Sequence, residues 1–216
     1  MKHRYDLLIF DWDGTLIDSI QWIVDSLNFA ARECGFDVPP DRLARSVIGL
    51  SLERAMATLL PQAQAGDIAP LMAAYQHHYN SKPLGADALF DGVPALLDAL
   101  RGNGHKLAVA TGKTRAGLDH AISATGAAGW FDATRAAGET ASKPDPLMLR
   151  QIMAELSVPP ERTLMIGDSV HDMRMAQNAG VAAVGVFCGA DGREQILPFQ
   201  PLLGLERTAD LLEFFL

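Results

Sequence analysis

Four short apolar runs, each followed by a polar or glycine-containing turn, constrain the fold of this chain more than any other feature. They are Leu7–Phe10, Lys106–Ala110, Thr163–Ile166 and Val181–Phe187. Continuous apolar runs of this length are typical of parallel strands, because helices bury such strands on both faces. Apolar residues also recur at helical spacing over Pro94–Leu100, Pro146–Leu156 and Met173–Ala179. The alternation predicts an α/β fold with a Rossmann-like, doubly wound parallel sheet.

The interval between the first two runs is much longer than a crossover between parallel strands requires. Roughly ninety residues separate Phe10 from Lys106, whereas a crossover needs about a dozen. The interval has no convincing strand pattern, and its helical stretches are Ile20–Cys34, Asp41–Val47, Leu52–Leu60 and Ile68–Tyr79. We therefore predict an inserted all-helical cap domain over residues 19–85, with a core domain formed by residues 1–18 and 86–216. The tail, Thr208–Leu216, is predicted to be a short closing helix.

The composition argues against several classes of function. The chain has 216 residues and a formal net charge of −8 at pH 7. An acidic surface repels a phosphate backbone, so we do not expect a general nucleic-acid-binding protein. No apolar stretch is long enough to span a membrane, and the first apolar run is too short for a signal peptide. Cys34 and Cys188 cannot form a disulfide framework, and we expect a cytoplasmic protein without a membrane partner.

Acidic residues stand where ligands bind in an open parallel sheet, just beyond the carboxyl ends of the strands. Asp11 and Asp13 follow the first apolar run, whereas Asp168 and Asp172 follow the run at Thr163–Ile166. Four carboxylates at one edge of a sheet would repel one another strongly unless a cation lay among them. Carboxylate oxygens, together with water and phosphate, are the ligands that suit Mg²⁺. The sequence therefore predicts a magnesium site at this edge.

Residues suited to holding an anion accompany these carboxylates. Thr111 and Gly112 follow the second run, and Lys143 lies in a loop just before a predicted helix. A hydroxyl, backbone N–H groups and one ammonium can together cradle an anion. A cation site, an anion cradle and a spare carboxylate together indicate phosphoryl transfer.

In order and spacing, these motifs resemble the four-motif signature of the haloacid dehalogenase superfamily over nearly the whole chain. The motifs are Asp11-x-Asp13-Gly14-Thr15-Leu16, Thr111, Lys143-Pro144 and Gly167-Asp168-Ser169-x-x-Asp172. A helical cap between the first two motifs is similar to the subgroup that contains phosphoglycolate phosphatases and β-phosphoglucomutases. The resemblance implies a Mg²⁺-dependent phosphatase that hydrolyses a small phosphomonoester, such as phosphoglycolate, through an aspartyl-phosphate. A small phosphorylated metabolite is thus the expected partner.

The resemblance also implies a role for each acidic residue of the motifs. Asp11 is the expected nucleophile, and Asp13 is the expected general acid, which then acts as base for the hydrolytic water. The Asp11 carboxylate, the Asp13 backbone carbonyl and Asp168 are the expected Mg²⁺ ligands. Asp172 is expected to support the metal's waters or Lys143 from outside the first ligand shell.

The same resemblance assigns the anion cradle. The Thr111 hydroxyl and the Gly112 N–H are expected to bind the phosphoryl oxygens, and Lys143 is expected to offset charge on the nucleophile and the phosphate. Gly112 departs from the pattern, because the subgroup often has Asn or Ser at this position. A polar side-chain contact to the phosphate or the substrate is therefore missing.

Other activities on the same scaffold stay open. A phosphomutase would return the phosphoryl group to a sugar, but the loop Gly49-Leu50-Ser51-Leu52 lacks the arginine that such mutases tend to carry there. Asp13 argues against a dehalogenase, which would lack this second carboxylate. A pyrophosphatase, a nucleotidase and a catalytically inactive phosphate-binding module are the further alternatives.

The cap is expected to select the substrate, because the core motifs can bind any phosphoryl group. We expect its helices to close over the edge of the sheet and to present the loop that contains Gly49. Arg45 and Arg54 flank this loop and are the nearest basic candidates for binding a substrate carboxylate. The alternative interpretation is that both arginines lie on solvated helix faces.

Overall fold

The computed structural model describes residues 4–215, and a six-stranded parallel sheet lies at its centre. The strands are β1 (Leu7–Phe10), β2 (Lys106–Thr114), β3 (Ala133–Ala137), β4 (Thr163–Gly167), β5 (Ala182–Val186) and β6 (Leu203–Leu205). Their order is β3-β2-β1-β4-β5-β6, and every neighbouring pair is parallel. The predicted doubly wound sheet is therefore confirmed, with β1 between β2 and β4. The outermost residues of the predicted core domain, 1–3 and 216, lie outside the described part of the chain.

Four helices form an insert between β1 and β2. They are α1 (Ile20–Glu33), α2 (Asp41–Ser46), α3 (Leu52–Leu59) and α4 (Ala65–Tyr79). Their apolar faces pack into a hydrophobic cluster of their own, in which Val24, Met56 and Leu71 are completely buried. The predicted all-helical cap is thus confirmed, and its stability comes from its own core as well as from contact with the sheet.

The two chain segments that join the cap to the sheet run side by side. Ile17 and Leu89 form an isolated antiparallel bridge, and the Phe90 N–H donates to the Leu16 carbonyl at 3.0 Å. This pairing fixes the base of the cap against the first turn after β1. The proposed domain boundaries, after residue 18 and before residue 86, lie next to these segments and stay a prediction.

Five further α-helices follow within the described residues. They are α5 (Val93–Gly102), α6 (Arg115–Thr125), α7 (Leu147–Leu156), α8 (Val170–Ala179) and α9 (Arg193–Ile196). The helices predicted at α5, α7 and α8 are confirmed. The predicted short closing helix is confirmed over Thr208–Phe214, where it is a 3-10 helix, and Leu216 lies outside the described residues. The tighter 3-10 geometry is common in short terminal pieces, and here it buries Leu211.

Sequence reasoning missed both edge strands of the sheet. β3 has the sequence Ala-Thr-Arg-Ala-Ala, and β6 has only three residues. An edge strand is covered less completely than a central strand, so neither segment has the continuous apolar run that predicts the others. No helix within residues 4–215 is both long and apolar enough to cross a membrane.

Candidate active site

Three carboxylates meet at the carboxyl edge of the sheet. β1 ends directly before Asp11, β4 ends directly before Asp168, and Asp172 lies in the first turn of α8. Their exposed fractions are only 2%, 1% and 0%. One carboxylate oxygen of each residue lies within 4.8 Å of the other two. The structure thus brings three of the predicted metal-site residues together.

Lys143 supplies the positive charge of this cluster. Its side chain is completely buried, and Nζ lies 2.8 Å from Asp11 Oδ1 and 2.7 Å from Asp172 Oδ1. Burial lowers the pKa of Lys143, but the two carboxylates raise that pKa more, so the ammonium keeps its proton. The N–H and Oγ of Ser169 donate to Asp172 Oδ2 at 3.1 and 2.7 Å. Asp172 therefore holds Lys143, which is one of the two roles expected of it.

Asp168 forms no ion pair with any residue in the described range. Thr15 Oγ1 donates to Asp168 Oδ1 at 2.6 Å, and the Ala190 N–H donates to Asp168 Oδ2 at 2.7 Å. Burial and the neighbouring carboxylates raise the pKa of Asp168 well above its usual value. A Cβ on Gly14 or Gly189 would lie 2.3 or 2.0 Å from Asp168 Oδ2, so glycine at both positions leaves room for this carboxylate.

The charge balance of the cluster fits a divalent cation. Three buried carboxylates share one ammonium, and burial raises the pKa of Asp11 to about 7 although Lys143 opposes the shift. Buried carboxylates that lack positive partners are costly, and Mg²⁺ binds oxygen ligands of this type. Asp11 and Asp168 therefore form a donor set that fits Mg²⁺.

Asp13 has a different set of partners. Lys113 Nζ lies 3.0 and 3.1 Å from its two carboxylate oxygens, and Ser19 Oγ donates to Asp13 Oδ1 at 2.7 Å. Lys113 Nζ also donates to Tyr79 Oη of α4 at 2.9 Å, which links the core to the cap. Burial lowers the pKa of Lys113, but Asp13 and the nearby tyrosines raise that pKa above its ordinary value.

Sequence reasoning missed Lys113. The residue follows the predicted anion-binding pair directly, at two positions after Thr111. Residues two apart on a strand share a face, so the position of Lys113 near the end of β2 is a signal that points to the site. No such signal predicts its contact with Tyr79, which depends on how the cap packs.

Asp11 and Asp13 both line a cavity of about 470 Å³ between the edge of the sheet and the cap. The predicted anion-binding residues Thr111 and Gly112 line the same cavity, and so does Gly49 of the cap loop. Thr111 is buried. The nucleophile and acid expected from the resemblance therefore open into one space, beside the groups expected to bind a phosphoryl oxygen.

A close approach between cap and core accounts for glycine at position 112. A Cβ at Gly112 would lie 2.3 Å from the carbonyl oxygen of Leu50 and 2.7 Å from that of Gly49. These are backbone atoms, which cannot swing away as a side-chain tip can. The Asn or Ser expected from the resemblance has no room at this position while the cap loop lies here.

The two arginines expected to face the substrate are not among the described residues that line this cavity, which corrects that expectation. Arg45 Nη2 donates to Gln21 Oε1 at 3.0 Å, and Arg54 Nη1 donates to the Lys143 carbonyl at 3.2 Å. Arg54 lies on the exposed side of α3, because the apolar side of this helix, which includes Ala55, packs into the cap. Arg54 thus connects the cap to the core.

Two more hydrogen bonds hold the cap against the core. The Ser51 N–H donates to Ser142 Oγ at 3.0 Å, and His171 Nε2 lies 3.0 Å from the Ser46 carbonyl. His171 lies in the first turn of α8 and directly precedes Asp172 in the chain. In this structure it contacts the cap rather than the cavity.

Comparison with known proteins identifies the family. Residues 8–186 match the family model described as haloacid dehalogenase-like hydrolase. The chain is 34% identical over 199 residues to the Probable phosphatase IndB of Dickeya dadantii, which covers 90% of this chain and 86% of that protein. It is 32% identical over 189 residues to the phosphoglycolate phosphatase of Agrobacterium fabrum, with 85% and 81% covered.

Two other matches cover less of the matched protein or have lower sequence identity. The chain is 34% identical over 186 residues to the tyrosine-protein kinase PtkA of Mycobacterium tuberculosis, but it spans only 62% of that protein. A solved haloacid dehalogenase-like family hydrolase from Streptococcus pneumoniae has a TM-score of 0.82 at 24% identity, with 98% of this chain and 99% of that chain covered. The latter match shows the shared fold. With the family model spanning most of the chain and the carboxylate cluster in place, the chain belongs to the haloacid dehalogenase-like hydrolases.

Proposed function

We propose that the chain is a Mg²⁺-dependent phosphatase that hydrolyses a small phosphomonoester through an aspartyl-phosphate on Asp11. The observation that carries the proposal is the pair of carboxylates Asp11 and Asp13 on one cavity, with Asp11 bonded to the buried Lys143. A nucleophile, an acid and a fixed positive charge are the groups that this chemistry needs.

In the first step, a carboxylate oxygen of Asp11 attacks phosphorus while the bond from phosphorus to the leaving oxygen breaks. Asp13 donates its proton to the leaving oxygen, which departs as an alcohol. The Thr111 hydroxyl and the Gly112 N–H bind phosphoryl oxygens, and Lys143 offsets the charge on Asp11 and the phosphoryl group. The product of this step is a phosphorylated Asp11 and an ionised Asp13.

In the second step, Asp13 removes a proton from water, and the water oxygen attacks phosphorus. The bond from phosphorus to Asp11 breaks, so that the Asp11 carboxylate is restored and inorganic phosphate leaves. Asp11 and Asp168 would hold Mg²⁺ together with the Asp13 backbone carbonyl. When bound, the ion would supply positive charge that offsets the carboxylates and the phosphoryl oxygens.

The proposal is tested by phosphate release from a panel of esters in the presence of Mg²⁺. The panel contains phosphoglycolate, a sugar phosphate, a nucleoside monophosphate, pyrophosphate and p-nitrophenyl phosphate. We expect release from phosphomonoesters, its loss with a chelator and its return with added Mg²⁺. Full activity in excess chelator would contradict the proposal. Movement of the phosphoryl group between sugar hydroxyls without phosphate release would identify a mutase.

The variant Asp13→Asn tests the acid role within the same panel. Loss of a general acid typically costs about 10²–10⁴-fold in rate, and we expect this loss on alkyl esters. The loss on p-nitrophenyl phosphate should be smaller, because its leaving oxygen needs less protonation. Equal losses on both classes would assign Asp13 another role.

A further inference from the structure

We propose that the cavity above Asp11 selects phosphate esters whose leaving group is uncharged and largely apolar, of aryl or arylalkyl type. This inference rests on the proposed phosphatase function and names the substrate class for the same site. It differs from the phosphoglycolate expectation, because the leaving group of that ester carries a carboxylate.

The lining of the cavity is mainly hydrocarbon. Helix α1 contributes Ile23 and Leu27, the cap loop and α3 contribute Ile48 and Leu52, and α6 contributes Ala121. Apart from Asp11 and Asp13, the polar groups on the described lining are hydroxyls, amides, His120 and Lys113. Apolar walls with few polar groups are typical of sites that bind an apolar ligand.

Lys113 is the only lysine or arginine among the described lining residues, and its donors are already occupied. An ammonium has three N–H donors. Lys113 Nζ contacts both carboxylate oxygens of Asp13 and the hydroxyl of Tyr79, at 3.0, 3.1 and 2.9 Å. A carboxylate on the leaving group could bind Lys113 only by displacing one of these partners.

An anionic leaving group would therefore leave water for hydrocarbon walls without a free cation to receive it. Transfer of an unpaired charge into such surroundings is strongly unfavourable. The size of the cavity also favours an aryl leaving group, because about 470 Å³ is much larger than a two-carbon leaving group needs. An aromatic ring would fill more of this space and bury its own apolar surface.

Two phosphonates that cannot be hydrolysed test this selection by binding alone. Benzylphosphonate and 4-carboxybenzylphosphonate have the same shape apart from one carboxylate. With Mg²⁺ present, we expect benzylphosphonate to bind roughly tenfold or more tightly than its carboxylated analogue, and also more tightly than methylphosphonate. Calorimetry measures the dissociation constants, and kcat/KM for benzyl and 4-carboxybenzyl phosphate measures the same preference in turnover.

The variant Leu52→Lys places a new cation on the apolar wall. We expect it to reduce the preference for the uncharged phosphonate by roughly tenfold, because the carboxylate gains a partner. The matched control is Leu43→Lys, on the same cap but 41% exposed and outside the cavity, which should leave the preference unchanged. If Leu52→Lys does not fold, Ala116→Lys adds the cation at an exposed lining position instead.

Tighter binding of the uncharged phosphonate, reduced by Leu52→Lys and not by Leu43→Lys, supports the inference. Equal or tighter binding of the carboxylated analogue, or equal binding of methylphosphonate, overturns it. A carboxylate preference that disappears in His120→Ala also overturns it, because the anion then binds that imidazole. If the phosphonate preference is retained but no ester releases phosphate, the inference is supported and the proposed phosphatase function is contradicted. The two proposals therefore fail separately.

Discussion

The edge of the sheet and the cap contribute to the same cavity in different ways. At the edge, Asp11 and Asp168 come directly after strands, so the backbone places them, and a buried Lys143 binds two of the carboxylates. Over the cavity, the cap presents mainly hydrocarbon from helix faces, whose positions depend on packing. Under the proposed function, the edge would carry the chemistry common to any phosphoryl group, whereas the cap would discriminate among the attached groups.

The substitution Asp11→Asn tests most severely whether the chemistry resides at the edge of the sheet. An amide is a poor nucleophile and a weaker metal ligand, so we expect kcat/KM to fall by roughly 10⁴-fold or more on every ester. The control is Asp37→Asn, at an exposed position of the cap, which should leave kcat/KM unchanged. Activity of Asp11→Asn within tenfold of the parent would remove Asp11 from the chemistry.

Lys143 of the carboxylate cluster and Lys113 of the cavity lining offer a comparison of stability. Lys143→Met leaves Asp11 and Asp172 buried without their partner, so we expect the free energy of unfolding to fall by roughly 3–5 kcal/mol. Lys113→Met should cost less, roughly 1–3 kcal/mol, because Asp13 keeps the Ser19 hydrogen bond and is about 11% exposed.

Denaturant unfolding in the absence of metal measures the loss in the free energy of unfolding for each lysine variant. Equal losses for the two variants would show that the carboxylate cluster depends on Lys143 no more than the contact between cap and core depends on Lys113. Addition of Mg²⁺ should recover part of the loss only in Lys143→Met, since only that lysine lies among the carboxylates that fit the ion.

The Mg²⁺ dependence of activity should arise from the carboxylates at the edge of the sheet. Asp168→Asn removes an anionic ligand from the donor set, so the Mg²⁺ concentration for half-maximal activity should rise by roughly 10–100-fold. Asp37→Asn again serves as the control. An unchanged Mg²⁺ requirement in Asp168→Asn would exclude this carboxylate from the metal site.

The contact between cap and core should respond to a single methyl group. Gly112→Ala places a Cβ 2.3 Å from the Leu50 carbonyl oxygen and must displace the cap loop. We expect kcat/KM to fall by about tenfold or less, with faster hydrogen exchange over residues 49–51. Gly129→Ala, where nothing lies within 4 Å of the added Cβ, is the matched control. Unchanged exchange in Gly112→Ala would show that the loop does not close on this glycine.

The sequence predicts the parts of the molecule that local patterns determine. The apolar runs at β1, β2, β4 and β5 predict the buried strands, and the motifs after them predict the carboxylates that the structure brings together. The edge strand β3 escapes prediction because its alternation of Ala, Thr and Arg is not an apolar run. The contacts of Lys113 and Arg54 with the opposite domain also escape, since they arise from tertiary packing that no local pattern encodes.

The central claim is that Asp11 forms a covalent bond to phosphorus, and rapid quenching followed by peptide mass measurement tests it most directly. The protein is mixed with Mg²⁺ and p-nitrophenyl phosphate, both as parent and as Asp13→Asn, in which the slowed second step should let the intermediate accumulate. The account predicts a peptide containing Asp11 that is heavier by one phosphoryl group, and none in Asp11→Asn. Continued phosphate release with Asp11 unmodified at every quench time would contradict it.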